Sequence, residues 1–266
     1  FVYSNVSTKV SFNRPPYESI EYSEPEPEPF FDNPQSTSPT RIPVTYREEE
    51  YDGIVRSYYY HCPTFTKNKS LFIMLHGYYG NGFPLISHIE TLNNPNFFYV
   101  APDGTFNIFF VRHWNVDWTA FMNNGVNDIS FLKQLSLKLQ NEFDLNDKVF
   151  VSGISNGGFL ACKLAIYESK FFSGISNIVG ALQDEYAIDG TIDTSGNSFP
   201  VLMIKGTNDS VISYNGFDKN SWWDGANSFL SSEEELIYWK NWNKLNIYSE
   251  EELPDTDIST TITVTS

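Results

Sequence analysis

Apolar positions along the chain fall into short runs and periodic stretches that alternate. "GIVRSYYYHCP" (53–63) alternates as a strand should and stops at Pro63. "SLFIMLHG" (70–77), "FFYVAPDG" (97–104), "KVFVSG" (148–153) and "FPVLMIKG" (199–206) are brief apolar runs ended by glycine or Pro-Asp-Gly turn chemistry. Such runs read as buried strands. Between them lie helical patterns. "NDISFLKQLSLKLQNEF" (127–143) puts Ile129, Leu132, Leu135, Leu139 and Phe143 on one face. A helix is expected over about 156–168. Another is expected over 231–245, opened by a capping box of Ser232 and Glu235. "STTITVTS" (259–266) is a further β-branched run. Strands alternating with helices predict an α/β fold with a doubly wound, mainly parallel sheet. Such sheets bind ligands beyond the carboxyl ends of their strands.

Residues 1–46 have a different texture. Glu24-Pro25-Glu26-Pro27-Glu28-Pro29 removes backbone donors and favours an extended, charged spacer. Residues 1–46 are therefore expected to be an acidic, proline-rich tail or linker, and 47–266 the globular domain. The chain begins at Phe1 with no visible leader, so either a leader has been removed or this is a piece of a longer product.

Charge narrows the partners. The formal charge is −16, with ten of the 33 acids in residues 1–52 and eight in 233–257. That balance disfavours nucleic acid and anionic membranes, which are bound by basic patches. No apolar run is long enough for a membrane span. Cys62 and Cys162 form neither a CxxC nor a Cys/His cluster, so no metal and no cofactor is expected. Cys162 reads as a small core residue, and a Cys62–Cys162 disulfide is the less favoured reading.

The chemistry gathers at Gly153-Ile154-Ser155-Asn156-Gly157. A strand leads in and a helix leads out, as in a nucleophile elbow. A serine there stands exposed above the sheet, and the glycines let neighbouring backbone come close. Ser155 is the expected nucleophile, against the plainer reading of a turn serine. Its oxyanion would need two N–H donors. Asn156, next in the chain, supplies one; the loop in "LHGYYGNG" (75–82) supplies the other at Tyr78. Asp209, past the strand in "PVLMIKGTNDSVISYNG" (200–216), is the expected acid. Asp184 and Asp189 also follow Ser155, after less clear strands.

Seven blocks agree with one family. "DGIVRSYYYHCP", "LFIMLHGYYGNG", "FFYVAPDGT", "WNVDW", "VNDISFL", "DKVFVSGISNGGFLACKLA" and "PVLMIKGTNDSVISYNG" occur in the same order, across residues 47–245. The chain thereby resembles the extracellular polyhydroxybutyrate depolymerase and feruloyl/acetylxylan esterase group of α/β-hydrolases. The resemblance implies an α/β-hydrolase fold, secretion, and metal-free hydrolysis of a polymeric ester or of a feruloyl- or acetyl-sugar. It carries Ser155 over as nucleophile, Asp209 as acid, and the 76–78 loop with Asn156 as oxyanion hole. Lys205 and the pair Asn127-Asp128 depart from the family pattern and read as structural.

The base is the serious departure. The family places its histidine after the acid, yet His61, His76, His88 and His113 all precede Ser155. Three readings compete: a fragment lacking its last strand or strands, a non-catalytic relative that binds ligand, or a displaced base at His113 or His76. Aromatic residues expected around the cleft include Tyr79, Trp114, Tyr214 and Trp222, with Tyr78, Phe109, Phe110, Trp118 and Trp223 beside them. Such rings suit a polyester chain or a feruloyl group.

Overall fold

The computed structural model describes residues 5–11, 44–87, 94–117, 125–188, 199–217, 228–244, 248–253 and 259–265, the first and last two segments as backbone only. The expectations for His88, Trp118, Asp189, Trp222 and Trp223 lie outside the described residues.

The elements run β1 (Asn5–Ser11), β2 (Val44–Tyr51), β3 (Ile54–His61), β4 (Ser70–Leu75), α1 (Gly82–Ser87), β5 (Phe97–Pro102), β6 (Thr105–Phe106) and β7 (Arg112–His113). They continue with α2 (Asp128–Phe143), β8 (Val149–Ile154), α3 (Asn156–Glu168), β9 (Gly174–Ile178), α4 (Asp184–Ile188), β10 (Val201–Ile204), α5 (Ser232–Trp242), β11 (Tyr248–Leu253) and β12 (Ser259–Thr265). Seven strands form the main sheet in the order β10-β9-β8-β4-β5-β3-β2. The pairings from β10 through β5 are parallel, while β3 runs antiparallel to β5 and β2 antiparallel to β3. The β2–β3 hairpin turns on Asp52 and Gly53, at φ 52° and 78°. Both central residues at positive φ are what a two-residue hairpin matching the sheet twist requires. Within the expected tail, Asn5–Ser11 is a strand that pairs antiparallel with Ser259–Thr265.

Alternation along β4 sends its side chains to two cores. Leu71, Ile73 and Leu75 join a large cluster with Phe131, Leu135 and Leu139 of α2, Phe159 and Leu164 of α3, and Trp239 of α5. Met74 enters a smaller cluster with Ile86 of α1, Tyr99 and Ala101. A sheet covered on both faces needs apolar residues at successive positions, which explains the unbroken runs in the sequence.

Two buried ion pairs fix helices to this sheet. Arg56 on β3 donates through Nη2 to Asp128 Oδ1 at 2.7 Å, and both side chains are almost fully buried. Asp128 also accepts the Asn115 N–H at 2.7 Å, and Phe131 lies under the guanidinium at 3.9 Å. The second pair joins Lys205 Nζ to Glu235 Oε2 at 2.8 Å. Glu235 further accepts from the Asn177 side chain at 2.8 Å and from the Leu182 N–H at 3.3 Å. The expected capping box is thereby corrected by one residue. Ser231 caps Glu234 and is capped by it, while Glu235 turns inward, completely buried, to meet Lys205. Both sequence departures read as structural, Lys205 and Asn127-Asp128, have structural partners here; Asn127 caps α2 by accepting the Ser130 N–H at 2.9 Å.

Removing one partner of such a pair leaves an uncompensated buried charge. Asp128→Ala is expected to lower unfolding stability by ~3–5 kcal/mol, measured by urea denaturation. A loss below about 1 kcal/mol, the range of an exposed pair, would show that Arg56 finds solvent.

Candidate active site

Ser155 sits where β8 ends and α3 begins, at φ 52° and ψ −116°. A non-glycine residue holds that conformation only when its surroundings impose it. Here the surroundings are backbone. A Cβ on Gly153 would lie 2.0 Å from the Gly157 carbonyl oxygen. One on Gly157 would meet the carbonyl oxygens of Leu75 and His76 at 2.6 and 2.7 Å. Both positions therefore exclude any larger residue. The Ser155 N–H donates to Ile178 O at 2.8 Å, and its side chain makes no capping bond to α3. Ser155 is half-buried at the carboxyl edge of the sheet.

The loop after β4 passes beside it. A Cβ on Gly77 would be 3.4 Å from Ser155 Cβ. The Gly77 carbonyl is held from two sides. It accepts the Gly80 N–H at 2.9 Å and a ring N–H of His76 at 2.7 Å. That second bond fixes the tautomer, because His76 Nε2 already accepts the Gly104 N–H at 2.9 Å, so Nδ1 carries the proton. A trans peptide points its N–H opposite to its C=O. Anchoring the Gly77 carbonyl thus sets the direction of the Tyr78 N–H. Among the described residues, neither the Tyr78 nor the Asn156 N–H has a backbone acceptor. Asn156 opens α3, so its N–H is also one of the helix's unsatisfied donors.

Trp114 joins these two donors, and its expected place in the cleft is corrected. The ring is completely buried. Its indole N–H donates to His76 O at 2.9 Å, and the ring lies 4.9 Å from the His76 ring. Its backbone N–H donates to Asn156 Oδ1 at 2.7 Å, and its carbonyl accepts from Asn156 Nδ2 at 3.2 Å. Trp114 is a strut between the elbow and the loop. An aromatic residue beside His113 in the sequence carried no sign of this, since burial depends on the crossing of two distant segments.

Asp209 lies in the loop after β10, half-buried. Its Oδ1 accepts the N–H groups of Val211 and Ile212 at 2.8 and 2.9 Å, which fixes the carboxylate in its turn. Val179, Gly180, Gly206, Asp209 and Tyr214 line one crevice. Val179 follows Ile178, the residue that accepts the Ser155 N–H, so the crevice begins next to the elbow. One strand, β9, separates the strands that deliver Ser155 and Asp209. Two strand spacings are ~10 Å. Tyr214 borders this crevice and donates its hydroxyl to Glu233. Tyr79 is exposed at the loop tip, with its ring 4.8 Å from that of Tyr78. Asp184 instead opens α4, with its N–H on Ser228 O.

The described histidines are otherwise engaged. Both ring nitrogens of His76 are taken, and burial pushes its pKa down, so it is neutral. His113 is completely buried with Nδ1 3.0 Å from Thr105 O. His61 is paired opposite Tyr99, toward the end of the sheet away from the elbow. The displaced-base reading is thereby corrected for His76, both of whose ring nitrogens are bonded; the His113 ring is packed, with Nε2 buried and unpartnered among the described residues. Cys62 and Cys162 are free thiols, so the disulfide reading is also set aside. No cluster of metal-ligating side chains and no helix long and apolar enough to cross a membrane occurs among the described residues.

By sequence, no family model and no curated protein matches the chain. Its structure is similar to that of a thermostable esterase, at 12% identity and TM-score 0.53, over 74% of this chain and 51% of that one. The fold is that of an α/β-hydrolase. The fold is the one the seven sequence blocks imply. Weaker similarities include a Bacillus cereus carboxylesterase (16% identity, TM-score 0.48, covering 71% and 81%) and a ferulic acid esterase (12%, 0.41, 52% and 58%). The chain spans between 51% and 58% of the length of the first three structures it matches. Ser155 stands at the turn from β8 into α3, and Asp209 lies in the loop after the second strand beyond it.

Two outcomes test this geometry. Trp114→Phe leaves the His76 carbonyl without its buried donor and is expected to cost ~1–3 kcal/mol; unchanged thermal stability would mean the strut carries nothing. The second concerns pH. The folded pKa of His76 lies below the ordinary imidazole value of ~6.5, so below that pH the unfolded chain takes up a proton that the folded one refuses. The stability from neutral His76 is complete above that value and is lost as pH falls toward the folded pKa. Urea midpoints between pH 7.5 and 5 should fall more steeply for the native chain than for His76→Gln; parallel slopes would exclude His76 as the cause.

Proposed function

We propose that the chain is the core of a serine carboxylic-ester hydrolase. The observation that carries this reading is Ser155 in a left-handed elbow beside two N–H groups that lack backbone acceptors. Ser155 Oγ attacks the ester carbonyl carbon as its proton passes to an imidazole. The charge that develops on the carbonyl oxygen is held by the N–H groups of Tyr78 and Asn156. Collapse breaks the ester C–O bond, and the alcohol leaves with the proton from the imidazolium. Water then repeats the sequence on the acyl-serine and releases the acid. Asp209 accepts the second ring N–H of the imidazole and steadies its charge.

In this reading the imidazole stands between Ser155 and Asp209; neither His61, paired opposite Tyr99, nor His76, both of whose ring nitrogens are bonded, supplies it. The sequence resemblance favours a polyester or a feruloyl- or acetyl-sugar as substrate, and an extracellular setting. A second reading, ligand binding without catalysis on the same fold, rests on the placement of those histidines, which all precede Ser155 in the sequence.

A fluorophosphonate probe separates the two. The serine-hydrolase reading expects slow covalent labelling that Ser155→Ala abolishes. It also expects free imidazole to accelerate p-nitrophenyl acetate hydrolysis by the chain beyond the sum of imidazole alone and Ser155→Ala protein. Absence of both effects leaves the ligand-binding reading.

A further inference from the structure

The Pro-Asp-Gly turn that ends β5 holds a buried carboxylate, Asp103. Turn aspartates ordinarily bond their own turn; this one faces inward. Its Oδ1 accepts the Gly82 N–H at 2.7 Å. Its Oδ2 accepts the Ser57 hydroxyl at 2.7 Å and pairs with the Arg112 guanidinium. The backbone of Asp103 is fixed as well. Its N–H donates to Ser57 O at 2.8 Å, and its carbonyl accepts from Arg56 Nη2 at 3.2 Å. The carboxylate is therefore seated on β3 and can act as a fixed point for what it binds.

What it binds is the loop that carries Tyr78. Gly82 is where that loop enters α1, and a Cβ there would lie 2.1 Å from Ala101 O, so this end rests directly on β5. Arg112 reaches the loop through its backbone: its carbonyl accepts the Tyr79 N–H at 3.1 Å. Tyr79 adopts φ 68°, a left-handed conformation that a non-glycine residue keeps only when its surroundings impose it. One residue thus gives its guanidinium to Asp103 and its carbonyl to Tyr79. The neighbour of Asp103 completes the support. The Gly104 N–H donates to His76 Nε2, and the other nitrogen of that ring clasps the Gly77 carbonyl. Peptide units are planar. The unit before Tyr78 is held by the Gly77 carbonyl and the unit after it by the Tyr79 N–H, so the aim of the Tyr78 N–H is set from both sides. Both supports start from the 103–104 turn.

We propose that Asp103 is a positioning residue for the oxyanion donors: through Gly82 and Arg112 it holds the loop in the one conformation that aims the Tyr78 N–H at the reacting carbonyl. The proposal rests on the ester-hydrolase reading for its purpose, but the anchoring can be measured without a reacting serine. Asp103→Asn keeps the size and an oxygen for Gly82 while removing the negative partner of Arg112. Arg112→Met removes the same pair from the other side and leaves the backbone carbonyl in place. The first readout is amide hydrogen exchange in chain labelled with ¹⁵N-tyrosine. Tyr79 is expected to exchange at least tenfold faster in each variant, with Tyr60 and Tyr99 unchanged as reporters of the fold. The second readout is the ratio of Ser155 labelling by a fluorophosphonate to labelling by its phosphonothioate counterpart, with free imidazole present. Aimed N–H groups hold developing charge on oxygen better than on sulfur, so they raise this ratio; a general loosening slows both probes alike. The ratio is expected to fall at least tenfold in each variant and no further in the double variant, since both changes break one pair. Unchanged Tyr79 exchange, or a ratio that stays at the parent value, overturns the proposal. A parent chain that never labels counts against the ester-hydrolase reading, and the exchange rates alone then decide whether Asp103 anchors the loop.

Discussion

The contact on which the site depends is the approach of the first turn of α3 to the end of β4. Gly157 fits against the carbonyls of Leu75 and His76 with no space for a side chain. That contact brings a helix start and a loop, 80 residues apart in the chain, to within van der Waals reach of one hydroxyl. The positive φ at Ser155 follows from it, because the chain must reverse sharply to enter a helix so close to the neighbouring strand. Trp114 then binds both halves through three hydrogen bonds and one ring contact shared with His76 and Asn156. The strain at the elbow is balanced by packing around it, as local strain at functional sites generally is.

Among the described residues, Arg56, Asp128, Lys205 and Glu235 are buried charges held in pairs. Arg56 with Asp128 ties α2 to β3 and also orders Asn115, next to Trp114. Lys205 with Glu235 ties α5 to β10 and gathers Asn177 and Leu182, which flank Val179 at the crevice. Each pair stands behind one side of the site. Neither contributes chemistry; both limit how far the segments bearing Trp114 and Asp209 can drift. Cys162, buried against Asn177 and Glu235, has its thiol pKa raised by loss of solvent and belongs to this packing.

Much of the architecture was legible in the residues. The expected helix at 156–168 has those bounds, and β3, β4, β5, β8 and β10 lie within or beside the apolar runs that announced them. The misses have physical reasons. Gly174–Ile178 hides a central strand because Ser176 and Asn177 break its apolar run, yet Asn177 is buried with its amide satisfied by Glu235. Val44–Tyr51 carried no strand signal, and its first three residues fell in the expected tail, because an edge strand can carry charge on its outer positions. The strand-end positions of Ser155, Asn156, Tyr78 and Asp209 could be read from short motifs, since such turns and loops are local. Trp114 could not, because its role arises from two contacts made across the sheet.

The anchored Gly77 carbonyl has a consequence of its own. An amide that must rotate before it can stabilise an oxyanion spends part of the barrier on that rotation. With the oxygen clasped by a ring on one side and an amide on the other, the direction of the Tyr78 N–H is set without rotation. In the proposed role, that fixed dipole avoids solvent-like reorganisation when negative charge develops. The same clasp makes the neutral form of one imidazole, distant from any proton transfer, a precondition for that aim.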